Sequence, residues 1–143
     1  MKLSKKTDYA LRALIRLSLS YKRGSVHIKE ISEAENLPTK FLENILLTLR
    51  KAGILHSRMG LRGGYSLAKP PERITVGEVV RVLDGTIAPM GCVSRVEYES
   101  CPAETGCAVK SVMQDVRNAV AKVLDDTTLA DLTERVGGLQ RVG

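Results

Sequence analysis

Apolar residues recur at three- and four-residue intervals from the start of the chain. Tyr9, Ala10, Ala13, Leu14 and Leu17 share one face of a helix that Ser4 or Thr7 would cap and that would run to about Ser20. A polar break at Lys22 to Ser25 precedes a short helix from about Ile28 to Glu35. Asn36, Leu37 and Pro38 then turn the chain into a longer helix, Thr39 to Ala52, which Gly53 would close. In this helix Leu42, Ile45, Leu46 and Leu49 form the buried stripe, leaving Thr39, Lys40, Glu43, Asn44 and Lys51 for the outer surface. Two helices so closely spaced predict a helix-turn-helix, whose second helix meets base edges with its exposed N-terminal end.

After Gly53 the period changes. Ile54-Leu55-His56-Ser57-Arg58, a tip of Met59-Gly60-Leu61-Arg62-Gly63-Gly64, and Tyr65-Ser66-Leu67 read as a two-stranded hairpin. Alone, it could be a plain hairpin with solvated arginines. Placed directly after a helix-turn-helix, it reads as a wing, with Arg58 and Arg62 reaching phosphates or a narrow minor groove. Pro70 and Pro71 end it, and Thr75-Val76-Gly77-Glu78 has the capping-box form for a helix through about Leu83, stopped by Asp84-Gly85.

Farther on, Val109, Val112, Val116, Val120 and Val123 form one apolar seam on a helix of roughly 18 residues, about 27 Å long at 1.5 Å per residue. β-branched residues have middling helix propensity, so the seam needs a partner surface. Its own domain could supply one, but a second copy is the preferred reading. A twofold homodimer implies a palindromic operator in double-stranded DNA, with half-sites about one helical turn apart. Asp126-Thr127-Thr128 would cap a last short helix, Leu129 to Val136, before a tail that begins at Gly137-Gly138. The predicted fold is therefore mainly α with a small β wing. Residues 1–85 form a winged helix-turn-helix DNA-binding domain, 86–107 a cysteine-bearing loop, 108–136 a dimerisation helix with a short C-terminal helix, and 137–143 a flexible tail.

A length of 143 residues suits one domain with a core, or a small domain with an appendage. The net charge of +6 favours a polyanionic partner only weakly. Arg12 and Arg16 interrupt the apolar run from Ala10 to Leu19, which excludes a secretory core there, and no stretch approaches a membrane span. A cytoplasmic location is expected, where thiols stay reduced.

That expectation matters because Cys92, Cys101 and Cys107 lie in one loop rich in Gly, Pro, Ser and Glu, with eight and then five residues between them. A loop can bend three thiolates onto one soft metal centre, whereas a helix or strand with these intervals would aim them apart. No C-x2-C knuckle is present and neither His27 nor His56 lies nearby in sequence, so a zinc ribbon is a poor fit. Inert or redox-active free thiols are the alternative, and an odd number argues against disulfides. With two histidines, no nucleotide-binding glycine motif and no paired carboxylates in a recognisable site, the chain offers little to an enzyme or an iron-sulfur electron carrier.

Several runs, taken in order, carry a family resemblance. They are Met1-Lys2-Leu3-Ser4, Thr7-Asp8-Tyr9-Ala10-Leu11-Arg12-Ala13-Leu14, Ile31-Ser32, Phe41-Leu42-Glu43, Leu49-Arg50-Lys51-Ala52-Gly53, Gly63-Gly64-Tyr65-Ser66-Leu67 and Ile74-Thr75-Val76-Gly77-Glu78-Val79. The three cysteines and Thr128-Leu129-Ala130-Asp131-Leu132 continue the series. Over nearly the whole chain this resembles the bacterial Rrf-two family of winged-helix transcriptional regulators.

The resemblance implies a homodimer with two recognition helices and two wings, and an iron-sulfur cluster, 2Fe-2S or 4Fe-4S, on Cys92, Cys101 and Cys107. Thr39, Lys40, Phe41, Glu43 and Asn44 would meet bases and neighbouring backbone, while Arg50, Arg58, Arg62 and Gly63 would serve phosphate or minor groove. In NsrR-like members the fourth cluster ligand is an aspartate in Thr-Asp-Tyr-Ala, supplied by the other protomer, and Asp8 holds that position. Read without the family, Asp8 is a solvated first-turn acid favoured by the helix dipole. The chain departs from the family twice. The interval from Cys92 to Cys101 is longer than in IscR-like and NsrR-like members, and Lys110 stands where IscR-like loops carry a ligand histidine. Both departures favour an Asp8-capped or partly open cluster, labile to nitric oxide, oxygen or chelators, in a sensor of iron-sulfur status, nitric oxide, redox or iron. A cluster-free, CymR-like repressor controlled by its own thiols or by a partner protein is the alternative.

Overall fold

The computed structural model describes residues 2–142. Six helices and one hairpin run in the order α1 (Lys5–Leu19), α2 (Ile28–Glu35), α3 (Thr39–Lys51), β1 (Leu55–Arg58), β2 (Gly64–Leu67), α4 (Val76–Asp84), α5 (Ala108–Asp126) and α6 (Leu129–Val142). Of the two candidate caps for α1, Ser4 is the one used: its hydroxyl accepts the Thr7 N–H at 3.2 Å, and Thr7 is buried one turn inside. Asn36 ends α2 with φ 52°, the left-handed conformation asparagine tolerates, and Pro38 opens α3.

Ala10, Ala13, Leu14 and Leu17 of α1, Ile31 of α2, and Leu42, Ile45, Leu46 and Leu49 of α3 meet in one core, joined by Ile54, Leu55, Leu67, Ile74 and Val79. This is the apolar stripe the helical periodicity predicts. Strands β1 and β2 pair antiparallel in the register Leu55 with Leu67 through Arg58 with Gly64. The hairpin gains a third partner that the sequence does not announce. Val26, just past the polar break, exchanges both backbone hydrogen bonds with Tyr65 at 2.8 Å. Gly64 makes this possible, because a Cβ there would stand 2.2 Å from the Val26 carbonyl oxygen.

Helix α4 starts under Thr75, whose hydroxyl accepts the Glu78 N–H at 3.1 Å, as a capping-box opening predicts. Its end is tied to the chain's beginning, since Asp84 accepts the Ser4 N–H at 3.1 Å and the Ser4 hydroxyl. Helix α5 lays Val120, Ala121 and Leu124 on a second small cluster of Val76, Val80 and Ile87. Arg81 and Asp125 add a two-pronged ion pair at 2.6 and 2.8 Å.

Thr128 caps α6 through a reciprocal pair: the Asp131 N–H donates to its hydroxyl at 3.1 Å, and its own N–H donates to the Asp131 carboxylate at 2.9 Å. The helix is longer than the sequence predicts. It continues past Val136 to Val142 and takes in Gly137 and Gly138, where the compositional signal placed the start of a tail. The wholly buried Leu129 brings α6 back to the main core. Among the described residues, no helix is long and apolar enough to cross a membrane.

Candidate nucleic-acid interface and cysteine loop

The start of α3 is chemically unlike the starts of α1, α2, α4 and α5. Those four begin under a side-chain acceptor, from Ser4, His27, Thr75 and Cys107 respectively. Pro38 offers none, and no acidic residue sits in the first turn of α3. Its first N–H groups and the positive end of its dipole are therefore unopposed, a setting that favours anionic or electron-rich partners. Lys40, Glu43 and Asn44 are exposed on this helix. Thr39 shares a 2.9 Å hydroxyl hydrogen bond with Ser32, which links α3 to α2. Phe41 has a structural duty as well as exposure: its ring meets Tyr9 edge-on, 5.6 Å between centroids, and so holds α3 against α1. Arg16 fixes α2 from the other side by donating twice to Glu35, at 3.1 and 2.9 Å.

The wing adds positive charge beside this helix. Arg50 reaches from the end of α3 to the Ser57 hydroxyl at 3.4 Å, a long contact that leaves most of its donors free. Arg58 and Arg62 line a concavity of about 510 Å³ together with Arg23, Ser25, His27 and Glu30. Gly63 is buried within the tip, where its N–H donates to the Gly60 carbonyl at 2.9 Å, so that donor is spent on the turn. Arg23, Ser25 and His27 are additions to the residues the sequence singles out. They join the wing because Val26 pairs with Tyr65, and a one-residue bridge leaves no periodic trace. The only hint in the sequence is the basic Lys22-Arg23-Gly24 in the interhelical break.

The three thiols are free, and they share a second concavity of about 190 Å³ with Met90, Glu99, Glu104 and Lys110. Cys92 lies in a short turn, Gly91–Val93; Cys101 is exposed; Cys107 caps α5, its Sγ accepting the Lys110 N–H at 3.4 Å. The loop is pinned at its base. The Arg117 guanidinium donates to the Val93 carbonyl at 2.7 Å, and the Ser94 hydroxyl accepts the Val96 and Glu97 N–H groups at 3.3 and 2.8 Å. Glu104 receives both the Lys110 ammonium and the Tyr98 hydroxyl. Lys110, then Tyr98, hold the Glu104 carboxyl below its usual range, and Glu104 in turn raises Tyr98 and Lys110.

Three thiols on one loop and a backbone N–H already aimed at sulfur are a donor set of the right chemistry for an iron-sulfur centre. The sulfurs are not drawn together: among the described residues, no group of three His, Cys, Asp or Glu side chains is close enough to hold a metal ion. Lys110, three residues after Cys107, brings a cation to the edge of this concavity. Asp8 is exposed on α1, paired with Arg12 at 3.0 Å, and is not among the residues lining the cysteine concavity.

The chain is similar to known proteins in both sequence and fold. The pattern of the Rrf2 family, described as iron-dependent transcriptional regulator, matches residues 3–135. An rrf2-like HTH-type transcriptional regulator of Rhodobacter capsulatus is 40% identical, over 91% of both chains. Among solved structures, CymR, the global cysteine regulator of B. subtilis, superposes with a TM-score of 0.83 at 36% identity, covering 94% of this chain and 98% of that one. T. potens IscR does so with a TM-score of 0.76 at 33% identity, covering 95% and 88%. A match of this extent in both sequence and fold is conclusive: the chain belongs to the Rrf2 family and is a DNA-binding transcriptional regulator, not an enzyme.

Proposed function

We propose that two copies of the chain pair through α5, read a palindromic operator with their α3 helices and wings, and adjust that reading through an iron-sulfur cluster on Cys92, Cys101 and Cys107. The carrying observation is that all three loop thiols line one concavity beside the first turn of α5, although their sulfurs stand apart until a cluster draws them in. The partner subunit's Asp8 is the candidate fourth ligand. A bound cluster would supply a centre that oxidants, nitric oxide or iron shortage can remove.

The chain's own residues would relay its state. Cys107 begins α5, and Arg117 ties the loop to the middle of that helix through Val93. Farther along, α5 bears on α4 through Arg81 and Asp125, and α4 is bonded to α1 through Asp84 and Ser4. A change in the loop thus reaches both the pairing helix and the DNA-reading body, shifting the population between two dimer geometries. Lys40, Phe41, Glu43 and Asn44 would meet bases and adjacent backbone, with Arg50, Arg58 and Arg62 on phosphates or minor groove.

A second reading has its own support. The likeness to CymR, together with the exposure of Cys101 and the Lys110–Glu104 pair that joins α5 to the loop, favours a regulator whose thiols or protein partner act without a cluster. Iron and acid-labile sulfide counts with an optical spectrum, on protein purified without oxygen, separate the two. A brown protein with matched iron and sulfide, colourless as Cys101→Ala, is expected, and Asp8→Ala should then weaken cluster retention. Colourless wild-type protein from iron-replete cells would leave the thiol or partner reading standing.

A further inference from the structure

Two large apolar side chains stand at the extreme tip of the wing, Met59 at 96% exposure and Leu61 fully exposed. Each borders an open surface concavity, neither belongs to the core, and the tip that carries them is tight. The Gly63 N–H closes it on the Gly60 carbonyl at 2.9 Å, and a Cβ at Gly63 would lie 2.4 Å from the Arg58 carbonyl oxygen. Single exposed apolar residues are ordinary on a protein surface. Two on either side of one turn glycine, with Arg58 before and Arg62 after, form a compact apolar point set in positive charge. They contribute nothing to the core of their own chain.

We infer that Met59 and Leu61 are a wedge that enters the minor groove of the operator, held there by Arg58 and Arg62 on the flanking phosphates. This rests on the DNA-binding role of the wing and α3, and adds a reading mode to it. The charge identifies the occupant. Two such tips from different copies would repel through their arginines, whereas the minor groove combines negative potential with apolar sugar walls and a width of about 6 Å. Methionine and leucine at such a place partly unstack a base step and bend the duplex, which is cheapest at flexible pyrimidine–purine steps. Part of the operator's sequence would thus be read as deformability, at positions no polar side chain touches.

The test uses a duplex recovered from a random pool by selection with the wild-type protein. Binding is measured at several salt concentrations, and bending by energy transfer between dyes at the duplex ends. Met59→Ser with Leu61→Ser is expected to lose about tenfold in affinity, near 1.4 kcal/mol, with reduced bending and an unchanged dependence on salt. Arg62→Ala should instead flatten the salt slope by about 0.9, one phosphate's worth. Because both wedge residues lie in solvent, circular dichroism of the double variant should match wild type. Wild-type affinity and bending in the double variant would overturn the wedge, as would a change in sedimentation showing that the tip joins protein to protein. A pool in which no duplex is enriched would overturn the operator reading itself, before any variant is made.

Discussion

Leu14, Ile31, Leu42, Ile45, Leu46 and Leu49 are shielded from water within one chain, whereas Val109, Val112, Val116 and Val123 of α5 stand exposed, although both sets recur at helical spacing. The first set comes from three helices that cross within 50 residues of sequence and close on one another. The second lies on a 19-residue helix that has no buried residue and makes its apolar contacts by its inner side, where Val120, Ala121 and Leu124 meet Val76, Val80 and Ile87. Identical periodicity therefore has two destinations. One is consumed by the fold; the other stays at the surface of the single chain. The contrast can be broken at each end by substitution, with effects on folding that shrink from the core outward.

The largest effect belongs to the core. Leu46 is wholly buried among residues of α1, α2 and the wing base, so Leu46→Ala removes buried methyl groups and leaves a cavity. A loss of about 2–5 kcal/mol in urea-unfolding free energy is expected. A loss below about 1 kcal/mol would mean that the core collapses around the gap, and the distinction drawn between the two regions would weaken.

Legibility follows the same division. The elements of the body are legible because each carries its own local signals: Ser4 and Thr75 as caps, Gly53 as a stop, and the Leu42, Ile45, Leu46, Leu49 stripe. What the sequence hides is long-range. Val26 joins the wing through a single bridge, Asp84 hooks Ser4 from 80 residues away, and Arg117 reaches back to Val93; none of these leaves a period or a motif. The end of α6 is misjudged for a different reason, since Gly137 and Gly138 lower helix propensity without forbidding the helix. Of the candidate site, the three cysteines are legible as a group, and the structure brings them to one concavity. Of the partners that shape their surroundings, Lys110 is marked in advance by its place three residues after Cys107, while Tyr98 and Glu104 carry no such signal. The basic wing is legible in Arg58 and Arg62, while Arg23 and His27 join them only once Val26 is paired.

A middle-sized effect tests the hook between the two ends of the body. Burial pushes the Asp84 carboxyl up, but the Ser4 hydroxyl and N–H, with the Thr7 hydroxyl, more than offset it, so the group sits below its ordinary value. A carboxyl depressed by folding adds stability that is present above its unfolded pKa, about 3.9, and is lost as pH falls through the lower folded value. Ser4→Ala removes the α1 cap and the hydroxyl bond to Asp84, keeping the N–H bond, and should cost about 1 kcal/mol at neutral pH. In thermal melts across pH, the gap between wild type and variant should narrow below pH about 4, as Asp84 takes up its proton in both. A gap that stays constant would assign the whole cost to the cap.

The smallest effect on folding should come from the seam of α5, and its smallness is the point. Val112 and Val116 lie one turn apart, both are exposed and neither belongs to a core cluster, so replacing them with glutamate disturbs no buried apolar contact. Glutamate has the higher helix propensity, and the like charges at that spacing cost only a few tenths, so the unfolding free energy should stay within about 0.5 kcal/mol of wild type. If the valines face their counterparts in a second copy, the same change sets carboxylates where apolar surface was to be buried. Sedimentation equilibrium should then show a folded monomer, and half-site DNA should be bound as well as before while the full operator is lost. A variant that stays dimeric would send the seam to another partner. One that unfolds would show that α5 belongs to the body's own cooperative unit, and that its exposed valines support the fold in a way their solvent contact does not reveal.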